Sequence, residues 1–147
     1  MVIIIKEFNE LSSRELYAIL ALRSAIFVVE QDCVYQDLDN KDEEATHIIG
    51  SKDGKIIAYT RIFKSGIYCN EASIGRVAVA KGERAFGYGK VIMQTSIVAI
   101  SKIYGEKTIR ISAQTYLRKF YNSLGFLEEG TSYLEDGIPH IAMIRNE

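Results

Sequence analysis

The chain has 147 residues, 48% of them hydrophobic, and 18 Lys plus Arg against 19 Asp plus Glu give a formal charge of -1. Length and composition fit one compact domain over residues 1–147, with a single Pro and so little room for a stiff linker. The interspersed charges lack the basic footprint of a nucleic-acid binder, and apolar runs such as 2–5 and 25–29 are too short to cross a bilayer. Lys6 and Glu7 interrupt the first run before it can serve as a secretory signal, so a cytoplasmic location is expected.

Residues 1–8 open with β-branched side chains and read as a strand. Ser12 or Ser13 can cap a following helix. Leu16, Ile19, Leu20, Arg23, Ile26 and Phe27 then recur at three- and four-residue spacing, so the helix should run to about Glu30. The acidic stretch 32–45 has no sustained period and reads as a loop or a short irregular helix. Residues 47–50 and 55–63 form a candidate hairpin around Lys52-Asp53-Gly54. Residues 73–80 read as a further strand, with Ile74, Val77 and Val79 as its apolar contacts.

A polar, glycine-containing turn over 81–90 leads into 91–104, whose length and spacing favour a helix despite its Ile and Val content. Residues 108–112 look extended, 116–124 look helical, and Gly125 ends that helix. Residues 127–134 and 138–145 complete a hairpin around Asp136-Gly137. Strand, helix, several strands, helix, strand, helix and two strands imply an α/β architecture in which helices flank a mixed central β-sheet.

The motif that points to chemistry is Arg84-Ala85-Phe86-Gly87-Tyr88-Gly89, followed by Lys90, between a strand and a helix. The start of a helix leaves backbone N–H groups unpaired and presents the positive end of its peptide dipoles. Gly87 and Gly89 keep side chains from shielding those donors, and Arg84 and Lys90 add positive charge, which suits a pyrophosphate. The pattern is neither an ATP-binding P-loop, since Arg84 stands at its first glycine and Val91 follows Lys90, nor a dinucleotide fingerprint.

Taken in order, Gly75-Arg76-Val77-Ala78-Val79, the 84–89 turn, Gln114 and Phe120-Tyr121-Asn122-Ser123-Leu124-Gly125-Phe126 resemble the core of the GCN5-related N-acetyltransferases (GNAT). Ala85 departs from the glycine that many members carry there. The stretch Phe27-Val28-Val29-Glu30-Gln31-Asp32-Cys33-Val34-Tyr35-Gln36-Asp37 and the stretch Glu135-Asp136-Gly137-Ile138-Pro139-His140-Ile141 resemble the ElaA-type branch. The resemblance implies the GNAT fold, acetyl-CoA as cofactor and direct transfer of acetyl to an amine in a ternary complex. It does not specify the acceptor, which can be a small molecule or a peptide, and it leaves a homodimer open.

The resemblance also distributes roles. Arg84, Ala85, Phe86, Gly87, Tyr88, Gly89 and Lys90 are expected at the pyrophosphate, with backbone groups near Val77 and Val79 orienting the acyl carbonyl. Tyr121 is expected beside the coenzyme A sulfur, where its hydroxyl can protonate the leaving thiolate; its alternative is an aromatic anchor for the last helix. A strand carboxylate serves many relatives as general base, but Ser73 occupies the comparable position here. His140 is the imidazole suited to proton transfer, against a structural alternative, while Glu71 reads as surface and Glu30 and Glu135 are further carboxylates for an acceptor cleft. Arg76, Glu30 and Tyr35 are candidate substrate contacts; Arg23 and Arg61, like Arg76, can instead anchor carboxylates internally.

The spacing of His47, His140, Cys33 and Cys69 identifies no metal site, and the cysteines read as structural, free or disulfide-linked. Two other functions compete. One is an acyltransferase using a longer acyl-CoA, since Arg76-Val77-Ala78-Val79 resembles a local feature of acyl-homoserine-lactone synthases. The other is a noncatalytic module that binds CoA or a metabolite. An acidic interaction surface explains 37–44 but not the ordered glycine and aromatic motifs.

Overall fold

The computed structural model describes residues 1–146. It contains a seven-stranded sheet in the order β1-β2-β3-β4-β5-β7-β6. The strands are β1 (Val2–Glu7), β2 (Thr46–Lys52), β3 (Lys55–Phe63), β4 (Ala72–Val79), β5 (Ile109–Gln114), β6 (Leu127–Glu135) and β7 (Ile138–Arg145). Every neighbouring pair is antiparallel except β4 and β5, so the sheet is mixed, as the element order implies. The helices are α1 (Ser13–Arg23), α2 (Tyr88–Ala99) and the short α3 (Arg118–Asn122).

Ser12 caps α1: its Oγ accepts from the Glu15 N–H at 3.0 Å and Glu15 returns a carboxylate to the Ser12 N–H at 2.8 Å. Helical periodicity continues to Glu30, as the spacing requires, but residues Ser24–Glu30 widen into π-helical turns. Such wide turns re-aim side chains and recur at functional sites. Here they carry Ile26, Phe27 and Glu30 to the edge of a cleft.

Central strands are buried on both faces, which is why β2 and β3 read as nearly continuous apolar runs. Ile48, Ala58, Ile62, Ile92, Met93 and Phe126 belong to the core shared with α2. On the other side Ile19, Ile26, Ile49, Tyr59 and Ala78 pack under α1. Ile48 and Ile49 thus point to opposite layers, as successive strand residues must. Asp53-Gly54 and Asp136-Gly137 close the two hairpins, with positive φ at both residues of each turn, the geometry that matches strand twist.

β4 departs from a simple strand. Arg76 has φ +51°, and Arg76 and Val77 oppose the single Thr60 of β3, forming a β-bulge. The bulge explains why Ile74, Val77 and Val79 break the two-residue alternation. β4 and β5 pair only at Ala72 with Ile109 and Ser73 with Arg110, then splay apart.

Three aspartates of the acidic stretch turn inward onto arginines, while Asp32, Glu43 and Glu44 stay exposed. Arg23 Nε lies 2.9 Å from Asp37 Oδ2, and Arg23 Nη1 lies 2.7 Å from Asp42 Oδ1. Arg61 Nη1 reaches the same Asp42 oxygen at 2.9 Å and Asp39 Oδ1 at 2.8 Å. Arg76 Nε lies 2.7 Å from Asp37 Oδ1. Arg23 and Arg61 are 0% and 1% exposed, so burial of their charge depends on these partners. His47 joins from β2: its Nε2 donates to the Asp42 carbonyl at 2.9 Å and its Nδ1 accepts from the Tyr59 hydroxyl at 2.6 Å. A carbonyl only accepts, so the tautomer follows from the partner. Burial pushes the His47 pKa down and keeps the ring neutral.

Asp42→Asn leaves two buried guanidinium groups short of a carboxylate and should cost about 3–5 kcal/mol in urea unfolding at pH 7. Burial opposes ionisation of Asp39 and Asp42, but hydrogen bonds and charge from Arg61 and Arg23 outweigh it and hold both below the ordinary value of 3.8. Their stabilisation is therefore complete well above pH 3.8 and is lost as pH falls from there toward the lowered folded values. The variant should lose less stability than the wild type over that acid window, and an unchanged dependence would separate the network from acid unfolding.

Candidate active site

Where β4 and β5 diverge, a cleft of about 1040 Å³ opens between the α1 side of the molecule and the β6–β7 hairpin. Its floor includes Ile74, Val77 and Val79 of β4 and Ile111, Ser112 and Gln114 of β5. The unpaired strand edges expose backbone groups that a continuous sheet would consume.

The start of α2 forms one end. Gly87, at φ +73°, is the residue before the helix, and the Val91 N–H closes the first helical turn on the Gly87 carbonyl at 3.3 Å. The preceding N–H groups, through Lys90, are those a helix start leaves for a ligand. A Cβ on Gly87 would meet no atom within 4 Å, so open space lies there, and the positive φ is what requires glycine. Arg84, Gly87, Gly89 and Lys90 line the cleft; Ala85, Phe86 and Tyr88 lie outside its lining. Phe86 and Tyr88 pair at 5.5 Å, with Lys52 Nζ 4.3 Å from the Phe86 ring centre. The free donors, the glycine approach and the adjoining open cleft fit a pyrophosphate and its pantetheine arm.

Arg84 is already engaged. Its Nη1 and Nη2 meet the Glu30 carboxylate at 2.5 and 2.7 Å, and its Nε donates to the Val79 carbonyl at 3.0 Å. Hydrogen bonding from Arg84 holds the Glu30 carboxyl below its ordinary pKa, which makes it a weak proton acceptor. A candidate acceptor contact and a candidate phosphate contact are therefore joined to each other across the cleft mouth.

The position of Tyr121 is compatible with both roles considered for it. It is 6% exposed and packs edge-on against Phe120 and Phe126 at 5.1 and 6.2 Å, yet it also lines the cleft. Among the described residues no hydrogen bond is assigned to its hydroxyl. Burial, with a smaller contribution from Tyr116, pushes its pKa up to about 12, so the hydroxyl keeps its proton at neutral pH.

The opposite wall is the β6–β7 hairpin. His140 Nδ1 lies 2.6 Å from the Ile138 carbonyl, Nε2 lies 3.4 Å from Glu135 Oε2, and the ring stacks on Tyr133 at 6.3 Å. Tyr35 and Arg76 also line the cleft, but both are tied to the buried network. The Tyr35 hydroxyl donates to Asp37 at 3.2 Å, and the Arg76 guanidinium lies 5.9 Å from the Tyr35 ring centre. Burial raises the Tyr35 pKa to about 12. Ser73 lines the cleft without a carboxylate, while Glu71 is held by Arg110 at 3.0 Å, which lowers its pKa. Cys33 and Cys69 are free thiols; the Cys33 thiol donates to the Asp136 carbonyl at 3.2 Å, linking the segment after α1 to the hairpin.

Sequence reasoning did not single out Tyr133 and Ser112 on this wall. The signal for Tyr133 lay in the two-residue Asp136-Gly137 turn, which places Tyr133 opposite His140 and Glu135 opposite Ile138; Ser112 comes from β5, and no local signal marked it.

A model of the acetyltransferase (GNAT) domain matches residues 15–146. Protein ElaA of Escherichia coli is 42% identical over 139 residues, covering 93% of this chain and 91% of its own length. Its crystal structure superposes with a TM-score of 0.91 at 39% identity, covering 98% of both chains. An acyl-CoA N-acyltransferase from Pseudomonas aeruginosa gives 0.92 at 34% identity over 99% of both. With the cleft, the glycine turn and the splayed strands in the same chain order, this protein belongs to the GNAT acetyltransferase family, in its ElaA-type branch.

Proposed function

We propose that the protein transfers an acetyl group from acetyl-CoA directly to an amine of a small molecule or peptide, with both substrates bound together. The observation that carries this reading is the start of α2, with its free N–H groups, opening onto the same cleft that the Tyr121 ring lines. Acetyl-CoA supplies an activated acetyl thioester and an anionic handle. Family membership supports acetyl-CoA use; the acceptor rests on the chemistry of the cleft.

Gly87, Gly89 and Lys90 hold the pyrophosphate through backbone N–H groups, with the Lys90 ammonium nearby. Backbone donors freed by the bulge at Arg76 and Val77 orient the acyl carbonyl. Tyr121 holds a proton for the departing sulfur, and its high pKa keeps that proton available throughout the neutral range. Orientation supplies much of the acceleration, because two substrates held in register need no covalent enzyme intermediate.

Gly87→Val forces a β-branched residue into the left-handed region and places a side chain before the helix start. Calorimetry should find one acetyl-CoA site per wild-type chain and an affinity at least about ten-fold weaker in the folded variant, about 1.4 kcal/mol. Undiminished affinity would remove the turn from the site.

Tyr121→Phe keeps the edge-on packing and removes only the hydroxyl. Single-turnover acetyl transfer should slow about ten-fold or more while acetyl-CoA affinity holds, since acid catalysis typically contributes about 10²–10⁴-fold. An unchanged single-turnover rate in the folded variant would leave Tyr121 as packing alone.

A further inference from the structure

The geometry points to a proton-accepting dyad on the β6–β7 hairpin: His140 is the base that takes the acceptor's ammonium proton, and Glu135 is the residue that positions and stabilises the resulting imidazolium. This rests on the acetyl-transfer reading above and assigns the base that reading leaves open.

The tautomer carries the argument. His140 Nδ1 is 2.6 Å from the Ile138 carbonyl oxygen, and a carbonyl only accepts, so the neutral ring carries its proton on Nδ1. The lone pair is then on Nε2, the nitrogen 3.4 Å from Glu135 Oε2. That spacing is longer than a charge-assisted bond, as expected when neither atom holds a proton. Once Nε2 is protonated, the ring gains a positive charge beside the Glu135 carboxylate, while the Nε2 direction stays off the carboxylate line and available to the cleft. The other Glu135 oxygen accepts from Ser112 Oγ at 3.3 Å, and Ser112 meets the Tyr133 hydroxyl at 2.5 Å. Tyr133 in turn covers one face of the imidazole. His140 is 7% exposed and Glu135 half-exposed, so the dyad spans the boundary between sheet and cleft.

Apart from Asp136 at the hairpin turn, the competing carboxylates of the region are committed elsewhere. Glu30 is held by both terminal nitrogens of Arg84, and Glu71 by Arg110. Asp37, Asp39 and Asp42 neutralise the buried arginines. The titratable groups that face His140 are Glu135, Tyr133 and Asp136 on its own hairpin. Cys33 and Tyr35 approach from the segment after α1, with Arg76, Arg110 and Tyr121 on the remaining cleft walls.

The step balances as follows. His140 Nε2 removes one proton from the ammonium and later releases it to solvent. The freed nitrogen pair forms the C–N bond, the C–S bond breaks toward sulfur, and Tyr121 protonates that sulfur. The second nitrogen proton returns through solvent to the tyrosine oxygen. The products are amide, free thiol and one released proton. The acceptor class is therefore an amine that carries at least one exchangeable N–H when neutral and is cationic in solution.

The test uses acetyl-CoA with two probe amines at pH 7: benzylamine, which is charged, and hydroxylamine, which is not. His140→Asn should lower kcat/KM for benzylamine about 10²-fold but for hydroxylamine less than about ten-fold, because only the former must first lose a proton. Glu135→Gln should slow benzylamine turnover about ten-fold and move the acidic limb of its pH–rate profile to lower pH. Equal losses for both amines would mark a structural role and overturn the dyad.

Nitrogen NMR of the two histidine rings needs no acceptor and separates this inference from the acetyl-transfer reading. His140 should be Nδ1-protonated when neutral and His47 Nε2-protonated, with the His140→Asn spectrum assigning the signals. A His140 ring protonated on Nε2 would overturn the proposal. If the wild type acetylates neither amine, the acetyl-transfer reading fails, and with it the catalytic role of the dyad.

Discussion

The buried pairing of Arg23, Arg61 and Arg76 with Asp37, Asp39 and Asp42 is the constraint on which the site depends. The segment that supplies the aspartates has little regular structure, so its shape is set by where the guanidinium groups stand on α1, β3 and β4. Three positive and three negative side chains also leave the network formally neutral, so it presents no surplus charge to an acceptor carboxylate. Its task is positional. Arg76 occupies a left-handed backbone conformation that costs a non-glycine residue about 1–2 kcal/mol. The contacts of its side chain with Asp37, at 2.7 and 2.9 Å, offset that cost at the bulge where β4 turns its backbone toward the cleft. A charged core cluster and the β4 bulge beside the cleft are thus one mechanical unit.

That unit clarifies why the cleft can remain open in a small domain. A sheet normally consumes its own backbone donors, and a cleft through its middle would leave them buried and unsatisfied. Here the strands part only beyond Ser73 and Arg110, while β3 continues to support β4 on one side and β7 supports β5 on the other. Each diverging strand keeps one partner and exposes one edge. The α2 core beneath, with Ile92 and Met93 fully buried, closes the rear of the opening.

Much of the fold was legible because its signals are local. The Ser12 cap, the Asp-Gly turns and the helical spacing of 16–27 each specify structure within a few residues. The glycine turn was legible for the same reason: positive φ at Gly87 and a helix start are written in adjacent positions. The acidic segment was not, because its partners lie 14 to 39 residues away and leave no periodicity. Nor was the Glu30–Arg84 pair, which spans 54 residues and joins two side chains that the sequence assigned to different ligands. Tyr121 shows the limit at a single residue. Its aromatic neighbours and family position suggested packing and chemistry as alternatives, whereas burial of the ring beside an open cleft makes the two compatible.

A net charge of -1 conceals an electrical asymmetry along the cleft. At one end, helix N–H groups and Lys90 present positive potential, and Arg84 is tempered there by Glu30. At the other, the Glu135 carboxylate stands beside a His140 lone pair, with neutral hydroxyls behind it. In the proposed acetyl transfer, a polyanionic donor and a cationic acceptor are drawn to different ends of one cleft and cannot exchange places without meeting like charge. Between them the walls are largely apolar, with Val77, Val79, Phe120 and the ring of Tyr121 all lining the cleft. Low polarity there favours a neutral amine over an ammonium, so on the acetyl-transfer proposal the acceptor surrenders its proton at the hairpin before reaching the acyl carbon. In the proposed reaction the arrangement of charge sets an order of events: proton removal at the hairpin, bond formation over the splayed strands, and sulfur protonation at Tyr121.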